Sequence, residues 1–417
     1  METKLWIRLL PIVAILGVDY VGVNMMLPML PFYAKRFGAD AFTVGLLFST
    51  YSLCQIVASP ILGSLSDRFG RKRILLLSQV GTLLSFVVMY YAGSLKVLFM
   101  ARALDGLTGG NVSLAMAYMV DVTKPHERTT ALGQQILANG VGLLVGGAIA
   151  SKLVGPQVRL AVVLAAAFSA VSILCTYVFL KDTKRAAKPS AQGSGLKKAA
   201  IISRKTAPAI ACLACYHLMW GIYLSGIGIF SAHRFAGFGA KEAGYLYAYM
   251  GIFVIALPVL YLPFLVKRLG ELKIVFFTFA LAAVAFFVMS QIPSWIYLVA
   301  VIPMVHFGTI PLRPALVSIF TSFVDKSQHG LALGFNQSLI AAGQIAGPVI
   351  GTYAINTGHT GAWPLMPSFL LLVGLSVSFL FIRGQLHLAK LSVAVQAEPS
   401  NPPANAPAQS KSSHQRR

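Results

Sequence analysis

Six ionisable residues sit inside otherwise apolar stretches: Asp19, Arg102, Asp105, His217, His306 and Arg313. A charge inside a membrane helix costs about 2.5–3.5 kcal/mol on insertion scales, so it faces the bundle interior and marks a proton, ion or substrate path. Asp19 lies between Val18 and Tyr20. A carboxylate there, caught between desolvation and a nearby arginine, can exchange a proton as access alternates. The alternative is a structural ion pair with Arg102. Arg102 and Asp105 are three apart and share a helical face, so they can neutralise each other. His306 precedes Asp325 by the spacing that separates Arg102 from Asp121, which makes it a candidate counterpart of Arg102. A histidine titrates near neutral pH. Proton coupling is therefore expected of Asp19, Arg102, Asp105 and His306. Cys212, Cys215 and His217 contain soft metal ligands. At i, i+3 and i+5 they do not all face one way on a helix, so no metal site is expected.

The elements that position these residues follow from composition. Hydrophobic residues make up 57% of the 417-residue chain and charged residues 11%, against about 25% charged in a soluble domain. Too few charges remain to cover a water-facing surface. The apolar runs are continuous and about 20 residues or longer, as a helix crossing about 30 Å requires. Barrel strands would alternate in segments of about ten residues. Twelve spans are predicted: 9–33, 41–63, 74–92, 97–120, 131–153, 160–180, 208–230, 242–265, 274–292, 295–320, 333–356 and 363–383. The fold class is thus all-α membrane, with twelve transmembrane helices in two six-helix pseudo-symmetric bundles. Bundles at 1–180 and 208–385 flank a basic cytoplasmic linker, 181–207. A Pro/Ala/Ser/Gln-rich tail, 386–417, reads as disordered.

The net charge of +22 reports orientation. Only Lys35, Arg36, Lys96, Lys152, Arg159, Arg234 and Lys241 fall in the loops assigned outside. The bias follows the positive-inside rule and sets both termini in the cytoplasm. No nucleic-acid partner is expected. The first apolar stretch is too long for a signal h-region and reads as a span. All four cysteines fall in spans, so no disulfide framework is expected. No nucleotide-binding loop and no nucleophile–base constellation occurs. An ion gradient is then the energy source, and neither enzymatic activity nor a cofactor is expected.

Two echoes relate the halves. Ala131-Leu132-Gly133 recurs as Ala332-Leu333-Gly334, and at the same spacing Gly142 and Gly146 match Gly343 and Gly347. Arg68-Phe69-Gly70 is answered by Arg268-Leu269-Gly270. Parallel repeats of this kind place a substrate site between the halves near the midplane.

The segment Gly63-Ser64-Leu65-Ser66-Asp67-Arg68-Phe69-Gly70-Arg71-Lys72-Arg73 resembles the signature loop of the major facilitator superfamily. Asp19, Gly22, Pro28 and Pro31 in span 1, Arg102 and Gly106 in span 4, and Asp121 followed by Arg128 resemble the superfamily's drug:proton antiporter branch, which contains tetracycline efflux proteins. The branch's span-5 pattern, Gly-x-x-x-Gly-Pro-x-x-Gly-Gly, is matched only in part. Gly142 and Gly146 stand in place, Gly147 replaces the proline, and Ala150-Ser151 replace the last glycines. Span 11 carries Gly343, Gly347, Pro348 and Gly351.

The resemblance implies a secondary transporter working by alternating access, a monomer whose partners are a small-molecule or ion substrate, protons and the lipid bilayer. It implies proton-coupled efflux across a bacterial inner membrane or a compartment derived from it. The alternative is transport of a metal ion such as iron, or of an organic anion, in a specialised bacterial membrane. Gly63, Asp67, Arg68, Gly70, Arg71, Arg73, Asp121 and Arg128 are then a conformational switch. Gly142, Gly146, Gly343, Gly347 and Pro348 are helix-packing positions. For substrate lining, the polar and aromatic residues of span interiors are expected: Asn24, Tyr51, Gln55, Asn111, Tyr118, Tyr223, Asn336, Gln337 and Gln344.

Overall fold

The computed structural model describes residues 2–124, 127–153, 158–182, 203, 206–325 and 328–380. The predicted tail and most of the predicted linker lie outside these residues. Met1–Ser378 is one compact unit.

Every described regular element is helical. The first half contains α1 (Glu2–Lys35), α2 (Ala41–Phe69), α3 (Arg71–Tyr90), α4 (Leu95–Thr108), α5 (Asn111–Val122), α6 (Arg128–Lys152) and α7 (Val158–Phe179). The second contains α8 (Ala207–Arg234), α9 (Ala240–Ala256), α10 (Leu262–Leu269), α11 (Glu271–Gln291), α12 (Leu298–Thr309), α13 (Leu312–Ser322), α14 (His329–Asn356) and a last helix, α15, within Thr360–Leu380. The residues Leu257–Tyr261 that join α9 to α10 form a wide, π-type turn that carries Pro258 and leads into Pro263. Proline lacks the N–H that an α-helical ladder needs.

Eleven of the twelve predicted spans are helices long and apolar enough to cross a membrane. The remaining one, predicted as 97–120, is broken. α4 stops at Thr108 and α5 starts at Asn111, with Gly109 and Gly110 between them. Two glycines carry no side chain to hold the helical turn and expose the backbone. The corresponding span of the second half also breaks, at Ile310-Pro311 between α12 and α13. The two breaks are 201 residues apart, as are the starts of α6 and α14. This register sets His306 at the position of Asp105, and Pro303 at that of Arg102, so the 19-residue spacing to the following aspartate is not the structural correspondence.

The glycines fix how closely helices approach. A Cβ at Gly142 would press on the backbone of Tyr20, and one at Gly146 on Val21 and Met25. In the second half, Gly343 faces the backbone of His217 and Gly347 that of Gly221 and Ile222. Thus α6 lies on α1 as α14 lies on α8. Such small-residue contacts drive helix association where lipid gives no hydrophobic force.

Contacts between the halves concentrate on α6 with α9 and α2 with α14. Gly147 abuts the backbone of Gly244 and Ala248, Gly251 meets Leu144, and Gly45 meets Pro348 and Thr352. The Ser49 hydroxyl donates to the Ile345 carbonyl at 2.6 Å. Toward the α1–α2 turn, Phe42 packs edge-on against Tyr353, and the Lys152 ammonium lies over the Tyr245 ring. There Asp40 caps α2 by accepting from the Thr43 amide at 2.8 Å. Its hydrogen bonds, from Thr43 first and also from Asn356 at the end of α14, hold its carboxyl below the usual range. At the opposite end, α5, α10 and α13 pack on helices of their own half.

Candidate functional site

The break in span 4 frees backbone groups in the middle of a membrane helix, where water is scarce and each must find a partner. Ser78 of α3 supplies one. Its hydroxyl donates to the Thr108 carbonyl and accepts from the Gly110 N–H at 3.0 Å. Gln55 of α2 supplies another, its Nε2 donating to the Gly109 carbonyl at 2.8 Å. Ser78→Ala should lower stability by about 1–2 kcal/mol, the cost of an unmet buried polar group. Thermal unfolding in detergent checks this; an unchanged Tm contradicts it.

Beside the break lies a cavity of about 70 Å³ lined by Leu16, Asp19, Tyr20 and Val23 of α1, Tyr51 and Gln55 of α2, Thr82 of α3, Asp105, Gly109, and Asn111 and Val112 of α5. A space of this size holds several waters. Its two carboxylates are treated differently. Asp105 is buried and receives Arg102 Nη1 at 3.0 Å. Arg102 also lies over the Tyr51 ring, 4.5 Å from its centroid. This is a balanced pair, backed by a cation–π contact. Asp19 is also buried, yet it makes no ion pair with any described residue. Gln79 Nε2 donates to its Oδ2 at 3.2 Å and to the Ser172 hydroxyl at 2.8 Å. Neutral amide and hydroxyl partners suit a carboxyl group in either protonation state, since they impose no opposing charge.

The remaining expected residues separate. Tyr51, Gln55 and Asn111 line the cavity with Asp19 and Asp105. Asn24 instead donates to Asn139 on α6, and Tyr118 packs in the core between α5 and its neighbours. Asn336 meets His217 Nε2 at 3.1 Å and so ties α14 to α8. The Cys212 thiol points to the Gly374 carbonyl. Gln337 and Gln344 are exposed. Tyr223 and His306 are buried together against Trp220, Phe253 and Phe286. His306 Nδ1 bonds the Ile302 carbonyl at 2.9 Å, while its Nε2 and the Tyr223 hydroxyl have no partner among the described residues.

Sequence reasoning passed over Tyr20, Gln79, Thr82 and Ser172. Ser78, Thr82 and Ser85 fall at i, i+4 and i+7 on α3, a polar stripe with Gln79 beside it. That period in an apolar span was the available signal. Tyr20 accepts from Gln135 of α6, which links the cavity wall to the helix that meets the other half.

The loop of the predicted switch is built around Arg71. Its guanidinium bonds Asp121 at 2.9 Å and Asp67 at 2.5 Å, and also reaches the Ser66 hydroxyl. Gly70 adopts φ 101°, a conformation open to glycine, and the Asp182 carboxylate sits where a Cβ would stand. Arg73 pairs with Asp182 at 3.5 Å. Arg68 lies over the Phe69 ring. A Cβ at Gly63 would meet open space. Arg128 opens α6, and its side chain lies outside the described part.

The sequence profile of the Major Facilitator Superfamily matches residues 12–310. The chain belongs to the Major Facilitator Superfamily. Within that superfamily its similarities lie with the drug:proton antiporter branch. It is 24% identical to multidrug resistance protein 2 of Bacillus subtilis (strain 168) over 90% of this chain and 95% of that protein. It is 27% identical to the class D tetracycline resistance protein of Salmonella ordonez, covering 82% and 88%. Among solved structures, it superposes on the nucleoside transporter NupG with a TM-score of 0.71 at 15% identity, over 90% and 98% of the two chains. The human organic anion transporter MFSD10 (TETRAN) gives 0.67 at 19% identity, over 89% and 98%. These structural likenesses concern the superfamily fold.

Proposed function

We propose that the chain exports a small molecule in exchange for protons, by alternating access, and that Asp19 is the residue that changes protonation. The observation that carries this reading is the asymmetry of the cavity. Asp105 has Arg102 within 3.0 Å, whereas Asp19 has only uncharged hydrogen-bond partners. A carboxyl group in that setting gains or loses a proton without stranding a buried cation. The names of the relatives, multidrug and tetracycline resistance proteins, support a drug-like substrate.

The two six-helix bundles, 1–180 and 208–385, rock about the α6–α9 and α2–α14 contacts. The linker 181–207 joins them, and both it and the termini face the cytoplasm of a bacterium, with the protein in the inner membrane. In that orientation the halves are closed at the outer end, and the conformer faces inward. Arg71 with Asp67 and Asp121 secures the cytoplasmic end of the first bundle during the cycle. Proteoliposomes test the reading. With tetracycline as probe, an imposed pH gradient should drive uphill movement that collapses with a protonophore. Uphill movement indifferent to the gradient in either direction would refute it.

A further inference from the structure

Arg313 has no role in the cavity chemistry. It follows the break in span 10, between Pro311 and Pro314. Nine residues separate it from Ser322 and eighteen from Trp295, the bounds of that span. At 1.5 Å per residue it stands about 14 Å inside one end of the span and about 27 Å inside the other.

One flank of α13 is packed: Leu312, Ala315, Leu316, Ile319 and Phe320 are buried. Arg313 and Pro314 are on the exposed flank. Arg313 makes no ion pair with any described residue. Its charge acts on Tyr216 and His217 of α8 and, across the gap between the halves, on Tyr20 of α1. The charge acting on Asp19 is that of Asp105, and the charge acting on Asp105 is that of Arg102. Its depth in the span and the symmetry of the two breaks set Arg313 on the cleft side, and it forms no ion pair with either cavity acid. The register of the two breaks sets Arg313 at the position of Val112, and Val112 lines the first-half cavity. The aromatic rings nearby are Tyr20, and Tyr216 stacked on Trp220.

We propose that Arg313 is the anion-recognition residue of a substrate subsite in the cleft, and that the substrate is an amphiphilic organic anion. This rests on the transport reading and names its substrate class. A guanidinium offers a planar fork that matches a carboxylate or sulfonate with two hydrogen bonds, and the half-buried rings of Trp220 on α8 and Tyr20 on α1 receive the apolar body. Near the midplane an unpaired cation attracts an anion strongly, because little water competes.

The test uses the purified full chain in detergent and equilibrium dialysis with two isosteric probes, 2-naphthalenesulfonate and uncharged 2-naphthalenesulfonamide. The wild type should bind the sulfonate at least about tenfold more tightly than the sulfonamide, the scale of one charge-assisted contact. Arg313→Gln should remove that preference while its sulfonamide affinity and melting temperature stay within error. Arg313→Lys should restore part of it. A wild type without the preference, or an Arg313→Gln variant that keeps it, overturns the proposal. No gradient enters this assay, so its outcome is separable from that of proton coupling. Failure of proton-driven transport with sulfonate preference intact would count against the transport reading alone.

Discussion

Asp19→Asn abolishes proton-driven accumulation while the protein still inserts and exchanges substrate at equilibrium. One charge crossing 100 mV is worth about 2.3 kcal/mol, and one pH unit adds about 1.4 kcal/mol. Together they sustain a gradient of roughly several hundred-fold for an uncharged substrate exchanged for one proton, and a larger one for an exported anion, at about 1.4 kcal/mol per factor of ten. The variant should lose that entire gradient. It should keep its fold, because an asparagine can still accept the 3.2 Å hydrogen bond from Gln79. Asp105→Asn should behave in the opposite way. It leaves Arg102 buried without its partner, which costs about 3–5 kcal/mol when one member of a buried pair is removed. Poor yield and a lowered Tm are expected there. Transport assays and thermal melts of the two variants side by side separate the roles. Equal phenotypes would contradict the asymmetry between the two carboxylates.

Gly147→Leu should displace the conformational equilibrium. At Gly147 a side chain would press on the amide nitrogen of Ala248 and the carbonyl of Gly244. These are backbone atoms and cannot rotate away. Overpacking of this kind costs about 1–3 kcal/mol, enough to shift the balance between conformers by roughly 5–150-fold. The halves should part at the end carrying Lys152 and Tyr245, with a large loss of turnover. Distances between spin labels placed at Lys152 and Tyr245 should lengthen in the variant; an unchanged distribution with normal turnover would refute this.

That same contact gives a physical reading of a departure seen in the sequence. The antiporter pattern has a proline where this chain has Gly147. Here that position is where α6 touches α9 of the other half, and even a Cβ crowds the backbone opposite. The glycines at 142 and 146 were legible as packing positions because their spacing keeps one face of α6 small. That Gly147 serves a different neighbour was not, since a sequence does not show which helix lies across each face.

The span pattern was readable because hydropathy sums over about twenty residues. The break at Gly109–Gly110 was not, because the same summation averages it away, although two adjacent glycines in a span were its local sign. Asp19, Asp105 and Arg102 stood out as charges among apolar residues. The neutral groups that decide how Asp19 behaves, Gln79 and Ser172, did not, since each is individually ordinary in a membrane helix. Tyr223 and Asn336 were expected at the substrate and are packed on their own half instead. A residue type alone does not tell which flank of a helix opens on the cavity.

The most direct measurement is proton release from the purified protein in weakly buffered detergent solution when a transported substrate is added. If Asp19 exchanges its proton in step with substrate, the wild type acidifies the solution on binding at a pH where Asp19 is protonated, and Asp19→Asn does not. Equal release from both, or none from a wild type that demonstrably binds, would contradict the account.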